Sequence, residues 1–304
     1  MKILLFGKGG QVGWELQRAL SVLGDLVALD RHGFNGLCGD LSDLNGLAQT
    51  VRQVQPDIIV NAAAYTAVDQ AEREPDLAHL INAAAPDVLA TEAARIGAWL
   101  VHYSTDYVFD GSGDVPWREA DNPAPLSVYG RSKWAGEQAI ARSACKHLIF
   151  RTSWVYAARG GNFAKTMLRL AQEREELKVI DDQWGAPTGA DLLADVTAHA
   201  LRCVTAAGEN TAPRLELQGL YHLAASGVTT WFDYAKAVID QATLVQATIK
   251  IAAQKITPIP TAAYPTAAQR PHNSRLDTTK LKNAFDLNLP HWQLGVERMV
   301  REIL

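Results

Sequence analysis

The sequence predicts an α/β protein with a Rossmann-type, doubly wound parallel sheet and a smaller C-terminal substrate-binding lobe. The first observation is the start of the chain, where an apolar run at residues 3–6 precedes a glycine-rich turn and an amphipathic helix. The second is the regular alternation of apolar strands and helices up to about residue 180, with connections long enough for parallel crossovers. The third is the remaining sequence, where turn-rich and proline-rich segments replace this regularity.

The predicted strands are short apolar runs, as expected where both faces of a strand are buried. They lie at residues 3–6, 26–29, 58–60 and 99–103, within 147–156, and at 177–180 and 219–223. Helices are predicted after the glycine turn, over 44–54, from Pro75 to Gly97, around Tyr129, over 162–173, from about 191, over 231–242 with Thr229 or Thr230 as cap, and over 278–284 and 292–303. Residues 205–218 are predicted to form a polar loop.

This pattern divides the chain into two parts. We expect residues 1–156 to form a nicotinamide-cofactor-binding domain that carries the catalytic residues. Residues 157–304 are expected to form mainly the substrate-binding lobe, with segments that return to the first domain.

Composition narrows the class of protein. Apolar residues make up 48% and charged residues 20%, and the net charge of −4 does not favour a nucleic-acid or membrane partner. The three cysteines are far apart, which predicts no disulfide framework and no cysteine-based zinc site. No apolar run approaches the ~18 residues of a membrane span, and the N-terminal run is too short for a signal sequence. We therefore expect a cytoplasmic protein.

The first turn carries a glycine pattern, with Gly7, Gly10 and Gly13 spaced three residues apart. This is a spacing variant of the dinucleotide fingerprint, in which backbone N–H groups approach a pyrophosphate at a helix N-terminus. The alternative is an ordinary glycine-rich turn. Because the pattern lies between a predicted strand and a predicted helix, it indicates cofactor binding.

Residues that follow the second and third strands are also candidates for cofactor binding. Asp30 can accept hydrogen bonds from a ribose diol, whereas neighbouring Arg31 could attract a 2′-phosphate, so NADH is favoured and NADPH stays open. Asp40 is expected either near the adenine or as the N-cap of the helix over 44–54. Small residues after Asn61 would let a cofactor lie against the backbone.

Tyr129 and Lys133 are four residues apart, so a helix would place both on one face. An ammonium about 4 Å from a phenol favours the phenolate and would lower the phenol pKa from ~10 toward neutrality. Such a phenol is a general acid–base candidate, although a surface pair on a helix has the same spacing. Thr105, at the end of the fourth strand, could donate to a substrate carbonyl beside Tyr129, whereas His102 is more typical of a buried core residue.

Four further residues keep two interpretations each. Asn82 lies inside the predicted helix that begins at Pro75, where it is more typical of a hydrogen-bonded packing residue than of a catalyst. Trp154 could be an apolar wall of the site or a core residue. Arg270 and Arg275 lie in a proline-rich segment that suits either recognition of an anionic ligand or a surface linker.

Together these features resemble the extended short-chain dehydrogenase/reductase family, including the 24-residue interval from Thr105 to Tyr129. The resemblance spans essentially the whole chain and is greatest to members that reduce dTDP-linked keto sugars. The motifs that carry it lie at residues 7–16, 61–69, 102–109, 151–156 and 183–188, with Arg270-Pro271 and Asn273-Ser274 near the end.

The resemblance implies an enzyme that uses NADH or NADPH to reduce the C4 keto group of a dTDP-linked sugar. The product would be a sugar donor for cell-surface polysaccharide such as O antigen. Tyr129 would donate the proton, Lys133 would lower its pKa and hold the nicotinamide ribose, and Thr105 would stabilise the developing alkoxide. The implied cofactor contacts are Gly7, Gly10, Gln11, Val12, Gly13, Asp30, Asp40, Leu41, Ala64, Tyr65, Thr66, Tyr103, Tyr129 and Lys133. The implied substrate contacts are Thr105, Asp106 and Trp154.

Some members of this family dimerise around magnesium. Glu15, Asp191 and Asp195 stand at matching places, which implies a Mg²⁺ site and a homodimer through the first helix and the Asp191 helix. Asp191 departs from the expected Glu, and its shorter side chain reaches less far. The alternative is a solvated acidic face.

Three other functions compete. A 4,6-dehydratase would need an Asp-Glu pair after the active-site Thr, but Tyr107 follows Asp106 here. A nucleotide-sugar epimerase would hold its cofactor tightly and return the hydride. A non-catalytic NAD(P)-binding regulatory subunit is disfavoured by the intact Thr105, Tyr129 and Lys133.

Overall fold

The structure is a computed structural model that describes residues 1–205, 214–246 and 249–304. Most of the polar loop predicted over 205–218 lies outside these residues. The strands are β1 Lys2–Phe6, β2 Asp25–Leu29, β3 Ile58–Asn61, β4 Trp99–Thr105, β5 Lys146–Thr152, β6 Val155–Tyr156, β7 Glu176–Ile180, β8 Trp184–Gly185, β9 Thr188–Gly189, β10 Gly219–His222, β11 Thr229–Thr230 and β12 Lys255–Ile259.

The helices follow the predicted positions closely. They are α1 Gln11–Ser21, α2 Leu44–Val54, α3 Val68–Ala71, α4 Pro75–His79, α5 Ala85–Ile96, α6 Val128–Arg142, α7 Phe163–Glu173, α8 Ala190–Thr205, α9 Trp231–Val245, α10 Thr279–Phe285 and α11 Trp292–Ile303. Thr230 caps α9, because its hydroxyl accepts from the N–H of Asp233 at 3.1 Å.

Six parallel strands form the central sheet in the order β2-β1-β3-β4-β5-β10. Apolar clusters cover both faces, one built with α1, α8 and α10 and the other with α2, α5 and α6. This is the doubly wound architecture that the strand–helix alternation predicts. The order reverses between β1 and β3, and such a switch point is where open α/β sheets bind ligands.

The sixth strand comes from the second half of the chain. Strand β10 pairs with β5, and α8 packs against α1. Strand β7 lies outside this sheet and pairs in parallel with β12, at the start of the segment that lacked a sequence pattern. Helices α7, α9 and α11 bury separate apolar clusters beside these short strands. Within residues 1–205, 214–246 and 249–304, no helix combines the length and apolarity needed to cross a membrane.

The helix predicted from Pro75 to Gly97 is interrupted by a π-helical turn at Leu80–Ala84. Asn82 lies in this turn, where its amide accepts from the N–H of Tyr65 at 2.8 Å and donates to the carbonyl of Tyr65 and the hydroxyl of Ser132. Helix α6 approaches here so closely that a Cβ at Gly136 would overlap the Asn82 carbonyl oxygen. Asn82 is thus a hydrogen-bonded packing residue, and it ties the segment after β3 to α6.

Candidate active site

A cavity of about 940 Å³ runs along the carboxyl ends of the parallel strands. Every predicted cofactor and substrate contact lines it except Gly13. The lining residues predicted from the sequence are Gly7, Gly10, Gln11, Val12, Asp30, Asp40, Leu41, Ala64, Tyr65, Thr66, Tyr103, Thr105, Asp106, Tyr129, Lys133 and Trp154. The structure therefore brings one continuous set of predicted residues to the sheet edge where ligands bind in this architecture.

The glycine turn has a steric explanation. Gly7 has φ +87°, and a Cβ there would also crowd the backbone of Ala63 after β3. Gly13 lies one turn into α1, where a Cβ would overlap the Gly7 carbonyl oxygen. Gly13 thus supports the turn from behind, which explains why it does not reach the cavity. Gly10 is the N-cap of α1 and provides no side-chain cap, so the helix N-terminus stays open toward the cavity.

The adenosine end of the predicted cofactor site carries both signs of charge. Asp30 pairs with Lys8 at 3.6 Å and accepts from the N–H of His32, and Arg31 also lines the cavity. Asp40 accepts from the N–H and hydroxyl of Ser42. The N-cap of α2 is Asp43, whose carboxylate accepts from Gly46, so the capping interpretation of Asp40 was wrong.

The catalytic candidates meet at the N-terminal end of α6. Ser127 caps this helix by accepting from Gly130, which places Tyr129 and Lys133 in the first turns. Thr105 ends β4 and lies beside the phenol, and its hydroxyl donates to Asp106 at 3.0 Å. Lys133 is only 2% exposed, and its ammonium donates to the Tyr103 carbonyl at 2.6 Å.

The ionisation of these groups differs from the sequence interpretation. Burial raises the pKa of Tyr129 to about 12, although the Thr105 hydroxyl acts in the opposite direction. The predicted lowering by Lys133 was wrong for the free protein, since burial is the largest influence on the phenol and raises its pKa, while the Lys133 ammonium donates to the Tyr103 carbonyl of β4. Burial also lowers the pKa of Lys133 to about 8, while nearby Glu137 opposes that change.

Asp106 is a buried carboxyl that lines the cavity. Burial raises its pKa to about 6, although the nearby Ser274 hydroxyl and the Thr105 hydroxyl, which donates to it at 3.0 Å, both act in the opposite direction. Ser274 belongs to the C-terminal motif that the sequence singled out. The contact shows that the second half of the chain helps to form this part of the site.

Trp154 lines the cavity in a strained conformation with φ +48°. Its ring stacks on Trp231 with a centroid separation of 3.7 Å, and a Cβ at Gly185 would overlap it. The indole N–H of Trp231 donates to Gln183 at 3.1 Å. Trp154 is therefore packed against other side chains and also faces the cavity, so it combines the two predicted possibilities, an apolar wall of the site and a core residue.

A second cavity of about 710 Å³ is lined by the other side of this aromatic layer. Phe163, Trp231, Tyr264 and Arg270 contribute to its walls. Arg270 also pairs with Asp69 at 2.8 Å. Arg275 instead donates to the Asn273 side chain at 2.8 Å and lies over the Trp184 ring, so only Arg270 of the two faces this space.

Of the predicted magnesium ligands, Glu15 and Asp191 line a separate surface pocket. Glu15 and Asp195 both pair with Arg18, at 3.5 and 2.8 Å, and Asp191 lies 3.5 Å from Arg298. In the part of the chain that the structure describes, no group of three or more His, Cys, Asp or Glu side chains could hold a metal ion. The donor set as placed does not fit magnesium, since arginines already neutralise the carboxylates.

Three polar residues near the site had no assigned function in the sequence. His102 and Asn61 lie behind Lys133 and are both buried. Glu137 forms a buried, two-pronged ion pair with Arg151 at 2.7–2.9 Å, which ties α6 to β5. The sequence signal for Asn61 and His102 was their position in strands β3 and β4, whereas no local pattern distinguished Glu137 within α6.

The fold and the site together define a class of protein, the extended short-chain dehydrogenases/reductases. Its features here are a parallel sheet, a glycine turn at the switch point of that sheet, and a helix with a Tyr-x-x-x-Lys motif at the carboxyl ends of the strands. The family described as RmlD substrate binding domain matches residues 1–304. A dTDP-4-dehydrorhamnose reductase from Escherichia coli K12 is 59% identical over 303 residues, covering 100% of this chain and 98% of that protein. The chain therefore belongs to the dTDP-4-dehydrorhamnose reductase family.

Solved structures agree with this assignment. The dTDP-4-dehydrorhamnose reductase from Clostridium acetobutylicum has a TM-score of 0.87 and 32% identity, with 100% of this chain and 99% of that chain covered. The Bacillus anthracis enzyme, solved in complex with NADP, has a TM-score of 0.85 and 36% identity, with 99% of each chain covered.

Proposed function

We propose that this chain reduces dTDP-4-dehydro-L-rhamnose to dTDP-L-rhamnose with a nicotinamide cofactor, the last step in forming this sugar donor. The observation that carries the proposal is the meeting of Thr105, Tyr129 and Lys133 in one cavity, in a chain 59% identical to a reductase of that name. The cavity also contains the glycine turn and the acidic residue expected for a dinucleotide.

The protein residues divide the chemistry between them. Bound NADH or NADPH would supply hydride to C4 of the keto sugar. Tyr129 is protonated at neutral pH and can donate its phenolic proton to the alkoxide that develops. The Thr105 hydroxyl, which donates to Asp106 in the structure, would turn to the same oxygen and so stabilise its growing charge. Lys133 lines the cavity and can hold the nicotinamide ribose.

The charged residues at the adenosine end of the cofactor site affect the choice between NADH and NADPH. Asp30 favours a ribose diol and disfavours a 2′-phosphate, whereas Lys8 and Arg31 provide positive charge at the same end. NADP is the cofactor in the Bacillus anthracis relative. We propose that both cofactors bind here and that the two cations make NADPH usable.

For the sugar nucleotide, we assign Asp106 to polar contact and Trp154 to an apolar wall. The space beyond the Trp154–Trp231 layer, with Arg270 at its edge, suits an anionic nucleotide. Residues 1–156 would then form the cofactor-binding domain, to which α8 and β10 return, while residues 157–304 supply mainly the substrate lobe.

Four finer hypotheses follow from the family resemblance. We propose three of them: a cytoplasmic setting, use of the product in O antigen, and a homodimer through α1 and α8; the fourth, magnesium at Glu15, Asp191 and Asp195, does not fit the side chains as placed. A magnesium ion would require these carboxylates to leave their arginines. The homodimer needs no ion, and sedimentation of the purified chain tests it directly.

The decisive experiment follows nicotinamide absorbance with enzymatically made dTDP-4-dehydro-L-rhamnose, with NADH and NADPH in parallel. Loss of absorbance with formation of dTDP-L-rhamnose is the expected result, and the two rates rank the cofactors. Tightly copurified NAD with no net oxidation would instead indicate an epimerase. An inactive chain that binds a partner enzyme would indicate a regulatory subunit.

A further inference from the structure

Three polar side chains form a row behind the catalytic pair. Asn61 and His102 are 1% exposed and Lys133 is 2% exposed. Asn61 and His102 are register neighbours on β3 and β4, and the amide nitrogen of Asn61 lies 3.2 Å from His102 Nδ1. The other ring nitrogen, Nε2, lies 3.2 Å from Lys133 Nζ. Each ring nitrogen of His102 thus faces one polar partner.

The ammonium of Lys133 has three N–H donors. The Tyr103 carbonyl accepts one at 2.6 Å, and His102 Nε2 is within reach of a second. Because consecutive residues of β4 provide both acceptors, the strand fixes the direction of the third donor. Lys133 lines the cavity, so that third N–H is the one available to a ligand.

We propose that His102 is a positioning residue of this reductase: its neutral imidazole, backed by Asn61, accepts one N–H of Lys133 and so aims another at the cofactor. The proposal rests on the reductase function given above. Burial and the neighbouring Lys133 charge hold the pKa of His102 well below 6.5, which keeps the ring neutral and able to accept.

The charge of Lys133 determines which ring nitrogen of His102 can carry the proton. If Nε2 accepts from the ammonium, the ring proton must be on Nδ1 and must donate to Asn61. The Asn61 oxygen currently accepts from the N–H of Ala63 at 3.2 Å, so its amide has to rotate by half a turn. If Lys133 loses its proton, the amide can stay as placed and the ring carries its proton on Nε2. The row therefore links the charge of Lys133 to the tautomer of His102.

The other charged and titratable groups around Lys133 come from three elements. Glu137 and Tyr129 lie on the same helix, Arg151 on β5 is bound to Glu137, and Asp106 follows β4. Glu137 raises the pKa of Lys133 and burial lowers it. These groups are unchanged in the His102 variants, so differences among the variants report on the imidazole.

Two substitutions separate the two ring nitrogens. In His102→Gln the side-chain amide occupies the position of Nε2 and can still accept a hydrogen bond from Lys133. In His102→Asn the shorter side chain places the amide only at the position of Nδ1. We expect kcat to fall about 10- to 100-fold in His102→Asn and only about threefold in His102→Gln, as misdirection of a reacting group predicts. Because a lost acceptor disfavours the ammonium, the alkaline limb of kcat should move to lower pH only in His102→Asn.

His147→Gln is the matched control. This histidine lies on neighbouring β5, and its ring is bonded to the Cys145 carbonyl, away from the cavity. It should keep the unmodified rate and pH profile. Equal rates and equal alkaline limbs in His102→Asn and His102→Gln would overturn the proposal, including the case in which both are equally impaired.

A measurement on the unmodified chain covers the case in which the variants do not fold. Imidazole ¹⁵N NMR should show His102 neutral with its proton on Nδ1 at pH 6, changing tautomer as pH rises through about 8 with Lys133. A charged His102, or a proton fixed on Nε2 at pH 6, would refute the proposal. This spectrum tests the hydrogen bonds among Asn61, His102 and Lys133 even if the proposed substrate is not reduced. Failure of the His102 proposal is therefore distinguishable from failure of the proposed reductase function.

Discussion

Burial raises the pKa of both Tyr129 and Asp106, and the consequences for the two residues are opposite. A reductase needs its acid protonated before hydride transfer, and a phenol with a pKa of about 12 retains its proton throughout the neutral range. Asp106 has a pKa of about 6 and is largely ionised at neutral pH although it is buried. Burial thus keeps Tyr129 protonated, the form that it needs as an acid, whereas Asp106 is charged at an energetic cost.

The first prediction concerns Tyr129. Tyr129→Phe removes the proton donor but keeps the ring, so kcat should fall about 10²- to 10⁴-fold, the usual contribution of general acid catalysis. The dissociation constant for NADPH should change little, since the substitution removes only the hydroxyl and keeps the ring in the cavity. Single-turnover rates and NADPH fluorescence titration measure the two quantities. A variant that retains most of its turnover would remove Tyr129 from the mechanism.

The second prediction concerns Asp106. The rise of its pKa from 3.8 to about 6 means that folding opposes the charged form by about 3 kcal/mol. The group's contribution to stability is fully present below pH 3.8 and is lost as pH rises through about 6. Asp106→Asn should therefore be more stable than the unmodified chain at pH 8.

Urea denaturation at two pH values measures this advantage. It should approach 3 kcal/mol at pH 8 and shrink to about 1 kcal/mol near pH 4.5. The same variant should raise KM for the sugar nucleotide, because the carboxylate is assigned to substrate contact. An advantage that does not change with pH would show that Asp106 titrates normally in the folded protein.

At the scale of elements, helix α6 is held against β5 by a buried ion pair. Glu137 is 5% exposed and Arg151 is 2% exposed, and two hydrogen bonds join them. Removing one partner of such a pair leaves the other charge buried and uncompensated. The position of Tyr129 and Lys133 therefore depends on a contact one and two helical turns further along.

The third prediction follows from this contact. Glu137→Gln should lower the free energy of unfolding by about 3–5 kcal/mol, because it leaves the Arg151 guanidinium buried beside a neutral amide. Glu173→Gln is the control, since it breaks an exposed pair with Arg169 of similar length, 2.8 Å, on α7. That substitution should cost only about 0.3–0.5 kcal/mol. Similar costs for both would show that the buried pair contributes no more than a surface pair.

Which elements could be predicted from the sequence depended on how local their signals are. Strands β1 and β3 are buried and consist mainly of apolar residues, and the bounds of α2 and α11 agree with their predicted residues. Pairing of β10 with β5 joins segments about 70 residues apart, and no local pattern encodes it. The π-helical turn at Asn82 depends on the approach of α6, so helical periodicity could not predict it.

The same distinction applies to the site. Gly7, Asp30, Thr105, Tyr129 and Lys133 were predictable because each follows a strand or occupies a motif. The contacts of His102 with Lys133 and Asn61 depend on three elements at once, so His102 had the pattern of a core residue. The direction of the Tyr129 pKa depends on burial and on the orientation of the Lys133 ammonium, and spacing along a helix determines neither.

At the scale of the whole molecule, the surface formed by α1 and α8 has carboxylates that are already paired with arginines. Arg18 on α1 contacts both Glu15 and Asp195, and Arg298 on α11 contacts Asp191. Magnesium binds oxygen ligands while keeping several waters, so it competes poorly with arginines already seated on the carboxylates. Any self-association through this face should therefore be independent of the ion.

The last prediction tests this independence. Sedimentation velocity of the full chain should give the same oligomeric state in excess EDTA and in millimolar MgCl₂, and the melting temperature should not change. Arg18→Ala should free Glu15 and Asp195, so that MgCl₂ raises the melting temperature of this variant alone through preferential binding to the folded state. A dimer of the unmodified chain that EDTA dissociates would show that magnesium displaces the arginines and that the ion determines assembly.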